Sequence, residues 1–308
     1  MRFSPRYFVL VLLAGVLGGC ASNPTEPRAP ASGRPITDLH FPKDDLGREV
    51  KLQKPAQRVV CIGPGATETI FALGAGSKLV GRDQISDYPK EALKLPIAGD
   101  YTGPFVEKVI ALNPDLVIVQ GETYDKARAE NWQKKIGIPV AILVPTSVEK
   151  VADGMKKIGV WLGSEKAAGN IVASFRPYLG DRGLEGAPKG FFEVQRSPLW
   201  TAGKGTLVYS VMANAGVAGA FEIAGYKQYN LEFLLTRNPD LYIVSETKPD
   251  RSKTLRELRS HSILKKLRCV REGAIVVLPA DWVLRPGPRL ILGIKKLRRQ
   301  ADNLRYDD

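Results

Sequence analysis

The chain has 308 residues, of which 44% are hydrophobic and 25% charged, and this composition excludes a disordered, collagen-like or polytopic membrane protein. Its 45 Lys and Arg exceed its 32 Asp and Glu, so the net charge of +13 leaves nucleic acid, a membrane surface and an acidic ligand open as partners. Three Cys cannot build a disulfide framework, and two His argue against a His-rich metal site.

The N-terminus has the features of an export signal. Arg2 and Arg6 precede an apolar stretch, Phe8 to Gly19, which is too short to span a bilayer and has the length of a signal-peptide core. The stretch ends in Leu17-Gly18-Gly19-Cys20, which resembles a bacterial lipobox. We therefore predict a signal peptide over residues 1–20, lipidation of Cys20, and an exported protein held at a membrane, facing the periplasm or the cell exterior. Export argues against a nucleic-acid partner, and an ordinary secretory signal is the alternative.

The segment after the signal peptide is expected to be a tether. Residues 21–35 contain four prolines among Ala, Ser and Gly, so we predict a flexible segment over residues 21–43. Further along, Cys61 lies in an apolar run typical of a buried strand. Cys61 and Cys269 fall in different predicted lobes, so a disulfide between them is not expected, although an oxidising compartment would allow it.

The sequence contains an internal repeat. Residues 107–119 and 232–244 share seven identities at a constant offset of 125, and Tyr101 and Tyr226 hold the same offset. The Asn-Pro-Asp triplet in both copies must end a helix, because the residue before Pro avoids helical angles. The apolar residues that follow suit a buried parallel strand. We infer two related halves, each with a helix, a turn and a strand.

Apolar runs alternate with helical patterns along the whole chain, which predicts an α/β fold of two lobes with parallel-sheet βαβ units. The lobes are expected at residues 44–146 and 184–308, joined by one long backbone helix over 147–183. A pair of helices with a turn at Leu162-Gly163-Ser164 is the alternative for this linker. The predicted strands are Arg58–Ile62, Leu116–Val119, Val140–Leu143, Phe191–Val194, Leu241–Val244 and Ala274–Leu278. The predicted helices are Thr67–Leu73, Lys126–Ile136, Leu255–Leu267 and Arg289–Leu304.

The common catalytic motifs are incomplete or missing in this sequence. The turn Gly63-Pro64-Gly65 leads to Glu68, whose carboxylate would repel a dinucleotide pyrophosphate, so plain strand–helix packing is favoured there. The sequence has no P-loop and no G-x-S-x-G elbow, and its scattered His and Cys suit neither a metal site nor a cluster. We predict a protein that is not an enzyme and holds no metal or catalytic cofactor, with a metal-dependent enzyme as a remote alternative. The basic run at 295–299 is expected to be a solvated helix face near an anionic bilayer.

Motifs spread from about residue 44 to residue 300 resemble the helical-backbone, or class III, substrate-binding proteins of ABC importers. The resemblance implies two α/β lobes joined by one long helix, and a monomer that captures vitamin B12, haem or a ferric siderophore for a permease dimer with its ATPase. The motifs are Asp45-Leu46-Gly47-Arg48, Pro64-Gly65-Ala66-Thr67-Glu68, Ser86-Asp87-Tyr88-Pro89, Thr201-Ala202-Gly203-Lys204 and Asp281-Trp282.

The resemblance is greatest to the vitamin B12-binding branch, and it implies which residues contact a corrinoid. Aromatic plates with a few polar groups suit a tetrapyrrole-like ligand, which has a wide apolar face and polar edges. Ile85 and Gln120 stand where that branch has aromatic residues, so haem and ferric siderophores stay open as ligands. The implied ligand-binding residues are Tyr101, Tyr226, Trp200, Asp281, Trp282 and Tyr88.

Glu107 and Glu232 match the positions that face paired Arg pockets of the importer in this family. One carboxylate on each lobe is what docking onto a symmetric permease requires. The alternative is local, because a carboxylate near a helix N-terminus is favoured by about 0.3–1 kcal/mol.

Overall fold

The structure is a computed structural model that describes residues 40–180 and 183–306, so the predicted signal peptide, Cys20 and the tether up to residue 39 lie outside it. Residues Leu39–Asp308 form one compact unit. Phe41 is buried, and the Pro42 carbonyl accepts a 3.1 Å hydrogen bond from Trp161 Nε1. The folded N-terminal lobe therefore begins before the predicted boundary at residue 44.

Strands and helices alternate along the described residues, and none of the helices there is long and apolar enough to cross a membrane. The strands are β1 (Val59–Ile62), β2 (Leu79–Asp83), β3 (Ile97–Asp100), β4 (Gly103–Pro104), β5 (Leu116–Gln120), β6 (Val140–Leu143), β7 (Lys189–Glu193), β8 (Gln195–Arg196), β9 (Leu199–Ala202), β10 (Ala218–Gly219), β11 (Tyr226–Gln228), β12 (Leu241–Glu246) and β13 (Ile275–Pro279). The helices are α1 (Pro64–Ala72), α2 (Val106–Ala111), α3 (Lys126–Ile136), α4 (Val148–Leu162), α5 (Glu165–Phe175), α6 (Leu207–Asn214), α7 (Leu231–Arg237), α8 (Arg251–Ser260), α9 (Arg268–Glu272) and α10 (Leu290–Tyr306).

Each lobe is built on a parallel sheet, which confirms the predicted α/β fold. The N-terminal sheet has the order β4-β3-β2-β1-β5-β6, and all its neighbours are parallel except β3 and β4. The C-terminal sheet has the order β10-β7-β12-β13 and is parallel throughout. Every residue of β1 and β6 is buried, as expected of strands covered on both faces. A small antiparallel sheet, β11-β9-β8, completes the C-terminal lobe.

The two copies of the repeat have equivalent surroundings. Asn113 and Asn238 both adopt left-handed backbone angles, with φ of 46° and 39°, within two residues of the ends of α2 and α7. In the N-terminal lobe the Asp115 carboxylate accepts a 3.0 Å hydrogen bond from the backbone N–H of Arg58, at the start of β1. In the C-terminal lobe Asp240 accepts a 2.8 Å bond from the N–H of Lys189, at the start of β7. The Asp of the triplet thus fixes the neighbouring strand in both lobes.

The linker is a helical hairpin and not the single long helix that we predicted. Gly163, with φ of +66°, ends α4 in a left-handed turn. This backbone angle is unfavourable for residues that have a side chain. The chain then reverses, so that Val172 of α5 packs in the same buried cluster as Val151 of α4. The two helices approach closely, since a Cβ on Gly159 in α4 would lie 2.5 Å from Ala168 Cβ in α5. The alternative turn at Leu162-Gly163-Ser164 is therefore the one observed.

Helix α4 belongs to the cores of both lobes. Val151 and Met155 in its first half pack in the buried cluster of the C-terminal lobe. Ile158 and Trp161 in its second half pack in a buried cluster of the N-terminal lobe. One short helix therefore joins the two lobes through its side chains.

Other helical segments also differ from the predictions, among them α9, which was not predicted. The helix predicted over 255–267 is α8 followed by a separate 3₁₀ turn at Leu264–Lys266, because His261 leaves the helix and its Nδ1 accepts hydrogen bonds from the N–H groups of Ile263 and Leu264. Helix α6 was not predicted, and its start is marked by Thr206, whose hydroxyl accepts a 3.2 Å bond from the N–H of Tyr209.

Cys61 and Cys269 are free, buried thiols in different lobes, on β1 and α9. Burial raises the pKa of both thiols to about 12. A neutral buried thiol is a poor nucleophile, so both residues act as small core side chains.

Candidate ligand-binding cleft

The carboxyl ends of the N-terminal parallel strands meet a loop of the C-terminal lobe. Gln120, the last residue of β5, donates a 3.0 Å hydrogen bond from Nε2 to the carbonyl of Pro286 and accepts a 2.8 Å bond from the N–H of Ala66. In open α/β sheets, ligands bind in the crevice outside the carboxyl ends of the strands. This edge is therefore the candidate ligand-binding cleft.

Gly65 allows the two lobes to approach closely at this edge. A Cβ at Gly65 would lie 2.3 Å from the carbonyl oxygen of Pro286, a distance that real side chains do not tolerate. The Gly63-Pro64-Gly65 turn, which the sequence pattern assigned to packing within one lobe, thus also receives the loop 285–289 of the other lobe.

Charged side chains bridge the lobes beside this contact. The Arg289 guanidinium donates a 2.8 Å hydrogen bond from Nε to Glu68, which is buried, and the backbone N–H of Arg289 donates a 3.0 Å bond to the same carboxylate. Arg285 pairs with Asp87 of the N-terminal lobe and, at 2.9 Å, with Asp281 of its own lobe. These ion pairs hold loop 285–289 against α1 and the loop that follows β2.

The pKa values of Glu68 and Asp87, the two carboxyl groups of the N-terminal lobe in these ion pairs, are shifted in opposite directions. Burial raises the pKa of Glu68, and the opposing effect of Arg289 only reduces that rise. The hydrogen bond from Arg285 holds the pKa of Asp87 below its usual range. The stabilisation from the Arg285–Asp87 pair is therefore present above the ordinary pKa of Asp and is lost as the pH falls through the lowered value.

Two of the predicted ligand-binding residues lie in this charged network. The Tyr88 ring lies 3.7 Å from the guanidinium carbon of Arg289, within range of a cation–π contact. Asp281 forms ion pairs with both Arg285 and Arg289. Trp282 is half-buried beside them, and its carbonyl packs against Gly293 of α10.

Replacing Glu68 with Ala is expected to lower the free energy of unfolding by about 3 kcal/mol, because it leaves the mostly buried Arg289 guanidinium without its counter-charge. Urea unfolding of both forms measures this difference. Glu91→Ala is the matched control, since Glu91 is exposed in the same lobe and its loss should change stability by less than about 0.5 kcal/mol. An equal loss in the two variants would contradict the bridging role of Glu68.

Trp200 and Tyr226 share one face of the small antiparallel sheet. Trp200 on β9 pairs with Gln228 on β11, and Tyr226 pairs with Ala202. Residues paired across antiparallel strands, and residues two apart along one strand, lie on the same side of a sheet. The two aromatic side chains are therefore diagonal neighbours, about 7–8 Å apart between backbones.

The loop that follows β5 contacts both repeat tyrosines. The Tyr226 hydroxyl lies 3.4 Å from Glu122 Oε1, across the two lobes, and the Tyr124 hydroxyl donates a 3.0 Å bond to the carbonyl of Tyr101. Burial raises the pKa of Glu122. Burial, followed by the nearby Glu122, raises the pKa of Tyr226, so its phenol stays neutral and serves as a donor.

The repeat tyrosines differ in their local structure, although they hold the same position in sequence. Tyr101 follows β3 in a turn and is 82% exposed, whereas Tyr226 lies in β11 and is 39% exposed. Ile85, after β2, is also exposed. Tyr101 thus has an exposed ring at the cleft edge. The backbone of Tyr226, in contrast, is held by strand pairing.

Glu107 and Glu232 are both exposed and lie in the first turns of α2 and α7. The side chain of Asn230 caps α7 by accepting a 2.7 Å bond from the N–H of Glu232. The start of α2 has no side-chain cap from Phe105. Each lobe therefore presents one free carboxylate at a helix start.

The described parts of the chain contain no group of three or more His, Cys, Asp or Glu that could hold a metal ion. Two parallel-sheet lobes that meet at the carboxyl ends of their strands define the architecture of a class III periplasmic binding protein. The family model of periplasmic binding proteins matches residues 59–176.

Relatives and solved structures agree with that architecture. The vitamin B12-binding protein of Yersinia pestis (strain Pestoides F) is 28% identical over 255 residues, which cover 81% of this chain and 88% of the relative. The crystal structure of the periplasmic vitamin B12-binding protein of Vibrio cholerae shares the fold, with a TM-score of 0.69 and 23% identity over 82% of this chain and 99% of that one. A periplasmic haem-binding protein of Pseudomonas aeruginosa has a TM-score of 0.66 and 26% identity over 80% of this chain and 92% of that one.

These matches confirm the predicted resemblance to class III periplasmic binding proteins. The matched family and the relatives are substrate-binding proteins rather than enzymes. Proteins of this family are exported, which agrees with the predicted export signal.

Proposed function

We propose that this protein binds a corrinoid of the vitamin B12 type in the cleft and delivers it to the permease dimer and ATPase of an ABC importer. The observation that carries the proposal is the shared face of Trp200 and Tyr226, which meets the loop of Glu122 and Tyr124 from the other lobe. The similarity to a protein named for vitamin B12 binding, across most of both chains, supports the same ligand class.

The chemistry of the cleft suits a flat ligand with polar edges. The two aromatic rings offer an apolar wall, and Tyr101 and Tyr88 offer further rings at the other lobe. The Tyr226 hydroxyl, the Glu122 carboxylate and the Asp281 carboxylate supply hydrogen-bonding groups for amide or carboxylate edges. We assign Trp282, beside Asp281, to the same wall.

Haem or a ferric siderophore is the second candidate ligand. It is favoured by Ile85 and Gln120, because Gln120 bonds to Pro286 and Ala66 instead of offering a ring, and by the similarity to a haem-binding protein. Either ligand leaves the delivery role unchanged.

The ligand is tested by titrating residues 39–308, the compact unit, with cyanocobalamin, haemin and a ferric hydroxamate siderophore. Trp200 and Trp282 are half-buried, so quenching of tryptophan fluorescence reports occupancy of the cleft. We expect saturable quenching by cyanocobalamin that is much weaker in Trp200→Phe. Quenching by haemin alone would select the second candidate, and no quenching by any of the three would contradict the proposal.

We further propose that Cys20 carries a lipid anchor, so that the protein works at a membrane surface on the periplasmic or outer side. The support is the lipobox-like sequence and the similarity to exported binding proteins. Cys20→Ser is expected to release the protein from membranes or leave the signal uncleaved, as fractionation and mass spectrometry would measure. A mature N-terminus elsewhere without lipid would contradict the anchor.

A further inference from the structure

A long stretch of concentrated basic charge lies in the C-terminal lobe. Residues 251–272 contain eight basic and two acidic side chains, a net charge of +6 in a stretch that includes α8 and α9. All eight basic residues are exposed: Arg251, Lys253, Arg256, Arg259, Lys265, Lys266, Arg268 and Arg271.

Half of these cations have local structural partners. Arg251 and Arg259 donate hydrogen bonds of 2.7 and 2.8 Å to the carbonyls of Gly273 and Arg271, at the end of α9. Lys253 lies 3.8 Å from Glu257, and Arg268 pairs with Asp240. Capping a helix end, pairing along α8 or fixing a strand explains these four.

The other four cations have no such role. We define them as the basic face: Arg256, Lys265, Lys266 and Arg271, which lie on α8, the 3₁₀ turn Leu264–Lys266 and α9, three elements that pack against one another. Within residues 40–180 and 183–306, their side chains form no ion pair or hydrogen bond. Exposed like charges close together repel one another, so the face costs stability unless something anionic covers it.

The basic face lies beside the proposed docking helix. His261 and Ile263 share a cavity of about 640 Å³ with Glu232 and Asn230, at the start of α7. At the other end of α7, the N–H of Arg268 donates a 3.0 Å bond to Asn238 Oδ1. Lys265 and Lys266 lie between these two contacts, so they flank the helix that carries Glu232.

The N-terminal lobe has a counterpart. Helix α3 follows the repeat strand β5 as α8 follows β12, and it packs against α2, which carries Glu107. It bears four exposed basic residues against one acidic residue, Glu130; the four are Lys126, Arg128, Lys134 and Lys135. Basic charge therefore accompanies the docking glutamate in both lobes.

We propose that the basic face contacts the anionic phospholipid headgroups of the membrane that holds the importer. The inference rests on the proposed function in one respect: docking through Glu232 turns the α7 side of the protein toward that membrane. Charge complementarity favours a phospholipid surface as the occupant, because it presents many phosphates and needs no defined pocket. Each cation near such a surface strengthens attachment about five-fold.

The test uses residues 39–308, which lack the lipidation site, without ligand or importer, so its failure is distinct from failure of the ligand titration. Sedimentation with phosphatidylcholine vesicles, with and without phosphatidylglycerol, measures binding. We expect binding only to the anionic vesicles, weakened by added salt. The variant Arg256→Gln, Lys265→Gln, Lys266→Gln, Arg271→Gln is expected to bind them at least about ten-fold more weakly.

The matched control removes the same charge elsewhere: Lys54→Gln, Lys94→Gln, Lys156→Gln, Lys166→Gln, all at exposed lysines of the N-terminal lobe and the linker. The control should retain binding. An equal loss in both variants, equal binding to neutral vesicles, or displacement by inorganic phosphate at constant ionic strength would overturn the proposal.

Discussion

The double variant Glu107→Gln, Glu232→Gln is expected to bind its ligand normally and to lose uptake through the importer. Both carboxylates are exposed at helix starts, one in each lobe, and neither contributes to the cleft. Each charge-assisted contact with an Arg pocket that excludes water would cost about 2–5 kcal/mol when lost. Two such losses would dissociate the complex with the permease.

Uptake of radiolabelled cobalamin and copurification with the permease measure this result. The control is Glu91→Gln, Glu185→Gln, which removes one exposed carboxylate from each lobe away from α2 and α7 and should leave uptake unchanged. If the double variant at 107 and 232 also supported normal uptake, the two glutamates would serve only their helices, where each contributes about 0.3–1 kcal/mol.

Tyr226→Ala and Trp200→Ala are each expected to weaken cobalamin binding by about 1–3 kcal/mol, the scale of losing a large aromatic contact. Because the two rings are neighbours on one sheet face, the double variant should lose less than the sum of the single losses. Tyr226→Phe keeps the ring and removes only the hydroxyl beside Glu122, so it separates the contribution of the hydroxyl to affinity from that of the ring.

Isothermal titration measures these affinities. Phe233→Ala is the control, because Phe233 is an exposed ring of the same lobe that lies on α7, outside the cleft. Unchanged affinity in both Tyr226→Ala and Trp200→Ala would remove this sheet face from the ligand site.

Elements with their own local signals could be predicted from the sequence closely. Helix α3 has the predicted bounds because Asp125 caps its start by accepting a bond from the N–H of Arg128, and Gly137 ends it in a left-handed turn. Strand β6 also has its predicted bounds, as an apolar run after Pro139.

In the linker, hydrophobic periodicity was not sufficient to predict the number of helices. One long amphipathic helix and two antiparallel helices bury the same apolar residues, so their periodicity is identical. Gly163 is a local signal for the observed turn, but a glycine alone does not exclude a continuous helix, and the close packing of Gly159 against Ala168 is a tertiary contact that the neighbouring residues do not specify.

The sequence predicted which residues belong to the cleft but not the contacts between them. The family motifs named Tyr88 and Asp281, but they did not reveal that Arg289 and Glu68, 221 positions apart, join the lobes beside them. The motifs likewise missed Glu122, whose meeting with Tyr226 depends on how the lobes fit together. Pairings of this kind arise from tertiary packing, and a single sequence carries no local signal for them.

The placement of α4 in both cores limits how the cleft can respond to a ligand. A wide hinge motion would pull Met155 out of one core or Trp161 out of the other, at about 2–5 kcal/mol for each large side chain. The cleft is therefore pre-organised, and capture of a ligand requires little ordering of the backbone. Under the proposed delivery function, the loaded protein would therefore differ from the unloaded one by small shifts at the cleft rim, since closure of the whole molecule would disrupt one of the two cores.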